Sequence, residues 1–359
     1  MRIGIDISQI VYQTGVSRYT AELVDNLLRL DQINHYVLFA GSLRQRLIIK
    51  SFVANLPRKV SLVLTPFSPR LADLAFNRLN FPMNRFIGNV DIFHSSNWTI
   101  PNLNCPIITT IHDLTFLKSP QDHLSSLVAV HKRQLKRTKK MAAAVIAVSQ
   151  STKRDLLDFG FATDKVKVIY EAASSLFRPV TPMPVKKKYQ LVRPYILSVG
   201  TLEPRKNLNR LIEAYQQLNL GFDLVIVGKF GWGERVKPVT GVRLLGFVPD
   251  EDLAGLYSGA QVFVYPSLEE GFGLPVLEAM ACGCPVVTSG VSSLPEIGGQ
   301  AAVYVEPASV KNIGEGIKTA LGKQGAMRSL GLVQARRFSW VKTAKETLKI
   351  YREVYANRY

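Results

Sequence analysis

Thirteen short apolar runs recur along the chain, each followed by a longer amphipathic or turn-rich stretch, and this alternation restricts the fold more than any other feature. They are RIGIDI (2–7), YVLFA (36–40), VSLVLT (60–65), DIFHSS (91–96), PIITTIHD (106–113), AAVIAVS (143–149), VKVIY (166–170), YILSVG (195–200), DLVIVG (223–228), VRLLGF (242–247), VFVYPS (262–267), PVVTSG (285–290) and AVYVE (302–306). Their apolar character is continuous, as in strands covered on both faces. Strands alternating with helical stretches build right-handed βαβ units around parallel sheets. The expected fold class is therefore α/β, and 359 residues suffice for two cores. The rhythm breaks at VTPMPVKKKYQLVRP (180–194), where three prolines and three lysines have the composition of a linker. Two doubly wound domains are expected, 1–180 and 190–340. A closing helix over 341–359 should pack back on the first, because Val341, Ala344, Leu348, Tyr351 and Val354 share one helical face. Ligands in such sheets bind beyond the carboxyl ends of the strands, so a cleft between facing domains is the expected site.

Forty-five Lys and Arg against 27 Asp and Glu leave a net charge of +18, which suits an anionic partner: a nucleotide, an acidic membrane or nucleic acid. No nucleic-acid reader motif accompanies the charge, so no nucleic-acid partner is expected. Three cysteines, Cys105, Cys282 and Cys284, make neither a disulfide framework nor a zinc ligand set, and a reducing cytoplasm is the expected compartment. The amino terminus MRIGIDIS lacks the pattern of a secretory signal, and no apolar run approaches the ~20 residues of a spanning helix. Membrane contact should thus be peripheral, and the glycosylation pattern Asn97-Trp98-Thr99 accidental.

Against this basic background, PSLEEGFGLPVLEAMACGCPVV (266–287) stands out. A strand ends at Pro266-Ser267, a turn with Gly271 and Gly273 follows, and Pro275 opens a short helix that Gly283 stops. Strand, glycine turn and helix form a frame for binding a phosphate on free N–H groups. Two carboxylates there, Glu270 and Glu278, would repel a phosphate and suit hydroxyl groups. A ligand with hydroxyls at both ends and phosphates between is a nucleotide-sugar. The plainer alternative is a surface turn with a glutamate complementing the helix dipole.

EEGFGLPVLEAMACGCPVV resembles the glutamate–seven–glutamate signature of the retaining glycosyltransferases of family 4, which have the GT-B fold of two Rossmann-like domains facing a cleft. SVGTLEPRKNLNRLIEAY and LLGFVPDEDLAGLYSGAQVFVYPSL resemble the rest of that family's second domain; the first half matches more loosely. The resemblance implies that Glu270 contacts the transferred sugar and Glu278 the ribose, with Gly271, Phe272, Gly273 and Leu274 lining the donor. It places the donor diphosphate on Arg205 and Lys206 of GTLEPRKN, whose charges would stabilise the leaving group. Many members have arginine where this chain has Thr201, and Arg205 then substitutes for it. Gly15 of TGVSRY resembles the family's glycine loop, and His112 of TIHDLTF its sugar- or acceptor-contacting histidine. Asp113 beside it orients the ring or binds the acceptor. Base recognition is expected at GKF, with Lys229, and at GFVPDEDL, with Val248.

The same resemblance implies hexosyl transfer with retained configuration, by front-face displacement, without a metal or other cofactor. GTLEPRKN is most similar to mannosyltransferase-like members, which points to GDP-mannose as donor; UDP-sugars for glucosyl, galactosyl or N-acetylhexosaminyl transfer are the alternative. A sugar-nucleotide epimerase shares the architecture but needs acid/base carboxylates that the first half does not clearly offer. A saccharide or polyprenyl-diphosphate-linked glycan in polysaccharide or glycolipid assembly is the expected acceptor. Two stretches of the first half suit an anionic membrane surface. FSPRLADLAFNRLNFPMNRFIG (67–88) interleaves Phe67, Leu71, Leu74, Phe81 and Phe86 with Arg70, Arg78 and Arg85, and HKRQLKRTKK (131–140) holds six lysines and arginines. Each is also compatible with an ordinary amphipathic helix whose basic face is solvated.

Overall fold

The structure is a computed structural model and describes residues 1–12, 14–42, 44–66, 71, 73–79, 81–95, 100–123, 125–233, 237 and 239–357. Phe67, Arg70 and the Asn97-Trp98-Thr99 pattern lie outside the described residues. Two compact units are present: Met1–Glu171 with Trp340–Tyr359, and Ala172–Ser339.

The first unit holds a parallel sheet of seven strands: β1 (Arg2–Asp6), β2 (His35–Gly41), β3 (Ser61–Thr65), β4 (Ile92–Ser95), β5 (Ile107–Ile111), β6 (Ala142–Ala147) and β7 (Val166–Val168). Their order is β3-β2-β1-β4-β5-β6-β7, so the winding reverses between β1 and β4. β5 is buried at all five positions, which explains its unbroken apolar spelling. The helix Gly15–Leu30 starts at a Thr14–Ser17 capping box and buries Tyr19, Leu23, Val24, Leu27 and Leu28 along one stripe. On it packs the closing helix Trp340–Ala356, with the Trp340 and Tyr19 rings 5.8 Å apart.

The second unit repeats the design with β8 (Tyr195–Val199), β9 (Asp223–Val227), β10 (Val242–Gly246), β11 (Val262–Tyr265), β12 (Val286–Ser289) and β13 (Ala302–Val305), in the order β10-β9-β8-β11-β12-β13. Its winding reverses between β8 and β11. The stretch 180–194, read from composition as a linker, folds into this unit. Residues Met183–Lys188 form a short helix against Asp250–Gly259, with Val185 filling the space that Gly255 leaves. Its lysines face solvent while Val185 is buried, so a polar composition hides a docking turn.

The two basic stretches divide their faces. In 131–140, Leu135 and Thr138 are buried and Lys132, Lys136, Lys139 and Lys140 are exposed. Between 71 and 88, Phe76, Met83 and Ile87 join a core cluster, whereas Leu71, Leu74, Leu79 and Phe81 stay exposed beside Arg78 and Arg85. No helix among the described residues is long and apolar enough to cross a membrane.

Candidate active site

In the second unit the loops after β8 and β11 leave the sheet as neighbours across the winding reversal, and this topology brings GTLEPRKN onto the acidic glycine turn. The contact is a buried ion cluster. Arg205 Nη1 donates to Glu270 Oε2 at 2.6 Å and to the Glu269 carbonyl at 3.0 Å, and Nη2 donates to Glu203 Oε1 at 2.6 Å. Lys206 Nζ donates to Glu270 Oε1 and to Tyr265 Oη, each at 2.6 Å. Glu203, Lys206 and Glu270 are each 8% exposed. Burial pushes the Glu270 carboxyl upward, but the charges of Arg205 and Lys206 outweigh it and hold the group down at about 2. Burial and Arg205 depress the Lys206 ammonium, with Glu270 opposing. The cations expected to address a diphosphate and the Glu270 expected to address a sugar neutralise one another in this cluster.

Backbone contacts fix this cluster in place. Asn207, at φ 58° before the helix Leu208–Leu218, donates from Nδ2 to the Pro266 and Pro307 carbonyls at 3.0 and 2.7 Å. The Glu270 N–H donates to Ser292 Oγ, and Ser293 Oγ donates to the Glu270 and Phe272 carbonyls. The chain then turns at Gly273, whose φ of 108° suits glycine, into the helix Leu274–Ala281. Gly271, Phe272 and Leu274 are buried around it. Within that helix, Glu278 is 1% exposed and its Oε2 accepts from Tyr257 Oη at 3.1 Å. Glu203, Tyr265, Asn207, Ser292 and Ser293 escaped the sequence reading; the Ser-Ser-Leu-Pro spelling of a helix start was the one available signal.

The expected base-reading residues gather at the ends of β8, β9 and β10. Leu202 N–H donates to the Lys229 carbonyl at 2.9 Å and Gly228 N–H to the Gly246 carbonyl at 2.8 Å, tying the three loops together. Thr201 and Lys229 are exposed, with Lys229 Nζ 4.5 Å from the Phe247 ring centroid, and Val248 is buried. Asp250-Glu251-Asp252, an Asp-x-Asp in spelling, opens the helix Asp250–Gly259, where Asp252 accepts from Lys188 Nζ at 2.5 Å and Tyr189 Oη at 2.7 Å. It places negative charge in the first turn of a helix and anchors the 183–188 turn.

In the first unit His112 follows β5, beside the winding reversal. Its Nδ1 lies 2.9 Å from Glu171 Oε1, and its ring meets Tyr19 edge-on with centroids 4.7 Å apart. Asp6, Tyr19, His94, Thr110 and His112 line one small polar pocket. Asp113 is a turn former: its Oδ1 accepts from the Thr115 N–H at 3.2 Å and from Thr115 Oγ1 at 2.8 Å. Gly15 is the exposed first residue of the helix Gly15–Leu30. Glu171 and Tyr19 were not singled out from the sequence: Glu171 sits in no recognisable motif, and Tyr19 closes the TGVSRY stretch, where the glycine alone drew notice.

Comparison with known proteins bears on the family and the fold. Residues 184–337 match the family described as glycosyl transferases group 1, and residues 13–173 match glycosyltransferase family 4. The chain is 34% identical to O-antigen chain mannosyltransferase B of Escherichia coli, over 94% of this chain and 96% of that one. Among solved structures it is similar to sucrose-phosphate synthase from Thermosynechococcus elongatus, with a TM-score of 0.75, 20% identity and coverage of 99% and 100%. Anabaena HepE in complex with UDP-glucose gives the same TM-score at 18% identity, with coverage of 98% and 100%. These two show the fold, which is GT-B. By its sequence along both units, the chain belongs to the group 1, family 4 glycosyltransferases.

Proposed function

We propose that the protein transfers a mannosyl group from GDP-mannose to a saccharide or polyprenyl-diphosphate-linked glycan acceptor, with retained configuration and no metal. The observation that carries the reading is the buried cluster of Glu203, Arg205, Lys206 and Glu270 at the winding reversal of the second unit. It joins two cations suited to a leaving diphosphate with one carboxylate suited to sugar hydroxyls. The naming of the relative that matches 94% of the chain as an O-antigen mannosyltransferase supports mannose and glycan assembly. In a front-face displacement the C1–O bond to the diphosphate breaks and its electron pair leaves with the phosphate oxygen. The acceptor hydroxyl forms its bond to C1 on the same face and passes its proton to that departing oxygen. Arg205 and Lys206 stabilise the charge that accumulates there, and Glu278 holds the ribose. Incubating the purified protein with acceptor and a panel of GDP- and UDP-sugars should release GDP from GDP-mannose and give an α-linked product by NMR, undiminished by EDTA. Preference for a UDP-sugar, a β-linked product, or activity restored to EDTA-treated protein by Mg²⁺ would each overturn the corresponding part.

The reading includes a peripheral place on the inner face of the cytoplasmic membrane, for which the exposed Leu71, Leu74, Leu79 and Phe81 beside Arg78 and Arg85 are the support. The protein should float with vesicles containing anionic lipid at low salt, and Leu79→Glu should weaken this. Equal flotation with neutral vesicles, or none at all, sinks the membrane part alone.

A further inference from the structure

Two histidines line the polar pocket of the first unit, and their surroundings give them opposite capacities. His94 is used up. Its Nδ1 pairs with Tyr351 Oη at 2.6 Å and its Nε2 with Thr110 Oγ1 at 2.9 Å, while Tyr19 Oη pairs with the same Thr110 hydroxyl at 2.9 Å. Burial, then the neighbouring His112, hold His94 down at about 3, so it is a neutral structural link between the sheet and the closing helix. His112 is half used. Its Nδ1 faces Glu171 Oε1 at 2.9 Å, and its backbone carbonyl accepts from Thr152 Oγ1 at 3.4 Å. Among the described residues no hydrogen bond reaches its Nε2.

Glu171 lies three residues beyond the end of β7 and is 3% exposed, and among the described residues its side-chain hydrogen bond is to this histidine. A carboxylate can only accept, so the proton between the two groups sits on Nδ1. In the neutral ring this leaves the Nε2 lone pair as the open valence. The other ionisable groups around the ring are Tyr19 on the first helix, His94 on β4 and Asp6 on β1; the Tyr19 hydroxyl is engaged with Thr110, and Asp6 Oδ1 accepts from the Ser8 N–H and hydroxyl.

We infer that Glu171 is a positioning residue that locks His112 in the Nδ1–H tautomer, so that Nε2 accepts a hydrogen bond from a ligand hydroxyl. The inference rests on the proposed function in taking His112 as substrate-facing, and it deepens it. The group read by His112 is a hydroxyl donor, a sugar hydroxyl of donor or acceptor, and not a phosphate oxygen, which a bare Nε2 would repel.

Nitrogen-15 NMR of the histidine rings in the full chain at pH 8, with the His112 signals assigned by their loss in His112→Ala, reads the tautomer directly. The expected result is a protonated Nδ1 and a bare Nε2 in the wild type, with an Nε2–H population appearing in Glu171→Ala. An Nε2–H ring in the wild type, or an unchanged ring in Glu171→Ala, overturns the inference. In turnover, Glu171→Ala should lower kcat on the order of 10- to 100-fold, the scale known for the carboxylate behind a metal-bound imidazole. Glu171→Gln, which keeps an acceptor for Nδ1–H, should recover part of that loss. If Glu171 works through His112, removing it from His112→Ala changes kcat less than about twofold; an equal loss in both backgrounds shows a structural role instead. Should no nucleotide-sugar be turned over, the proposed donor chemistry fails, while the ring tautomer still decides this inference.

Discussion

Glu270→Gln should lower kcat on the order of 10²- to 10³-fold while leaving nucleoside diphosphate binding at least as tight as in the wild type. The reasoning starts from the ion cluster. Arg205 and Lys206 both spend hydrogen bonds on Glu270, so an arriving diphosphate competes with that carboxylate for the same donors. Removing its charge frees cationic capacity for the diphosphate and leaves the sugar one neutral amide oxygen in place of a charged carboxylate that accepts on both oxygens. Binding and turnover therefore move apart. Glu278→Ala should do the reverse, weakening the nucleotide more than it slows turnover, because its carboxylate, held by Tyr257, is the one proposed to take the ribose. Stability separates the variants further. Glu270→Ala leaves the buried Lys206 and the partly buried Arg205 without their shared anion, a change costing about 3–5 kcal/mol, and nucleoside diphosphate should restore part of the loss by mass action. The pH dependence has a fixed sign. A carboxyl at about 2 in the folded chain, against 4.5 ordinarily, contributes stability above the unfolded value that disappears as pH falls from about 4.5 towards about 2. That contribution is at most about 3 kcal/mol, and acid titration of Glu270→Gln should lack it. Calorimetry with nucleoside diphosphate, steady-state rates and acid melts measure all three quantities. Equal losses in binding and turnover for both variants would leave the two glutamates with a purely structural role.

How much of this was legible depends on what each feature needs for its expression. The strands needed only a continuous apolar spelling, a local property, which the inner strands bury on both faces and the edge strands only in part, and each of the thirteen apolar runs coincides with one strand in chain order. The glycine turn and its helix were also local: Gly273 and Gly283 both carry positive φ where the spelling required a turn and a stop. The meeting of Arg205 and Lys206 with Glu270, more than sixty residues later, depends on β8 and β11 being neighbours across the reversal of winding. Nothing in the spelling of either loop states that adjacency. Glu171 was missed for the same reason: its partner His112 lies 59 residues earlier and is brought near by strand order. The stretch 180–194 misled because three prolines and three lysines dominate its composition, whereas the buried Val185 and Leu191 dock it.

Gly228→Ala should prevent the second unit from folding stably, at a cost above about 4 kcal/mol. Gly246→Ala should cost only about 1–2 kcal/mol. Both glycines end neighbouring strands with positive φ, 152° and 67°, and their backbones are joined by one hydrogen bond. Local backbone preference would rank them together. Surroundings rank them apart. A Cβ on Gly228 would lie 1.8 Å from the Gly200 carbonyl oxygen and 2.7 Å from its carbon, whereas one on Gly246 has nothing within 4 Å. The clash is backbone against backbone, so no rotamer relieves it, and the loops after β8 and β9 must separate. That separation breaks the Leu202–Lys229 and Gly228–Gly246 hydrogen bonds and displaces Thr201 and Lys229 at the expected base-reading edge. Strain limited to one left-handed residue, as at Gly246, leaves those bonds intact. Soluble yield, circular dichroism and denaturant midpoints of the two variants test the contrast. A Gly228→Ala protein within 1 kcal/mol of the wild type and still turning over donor would show that the two loops do not need this close backbone approach.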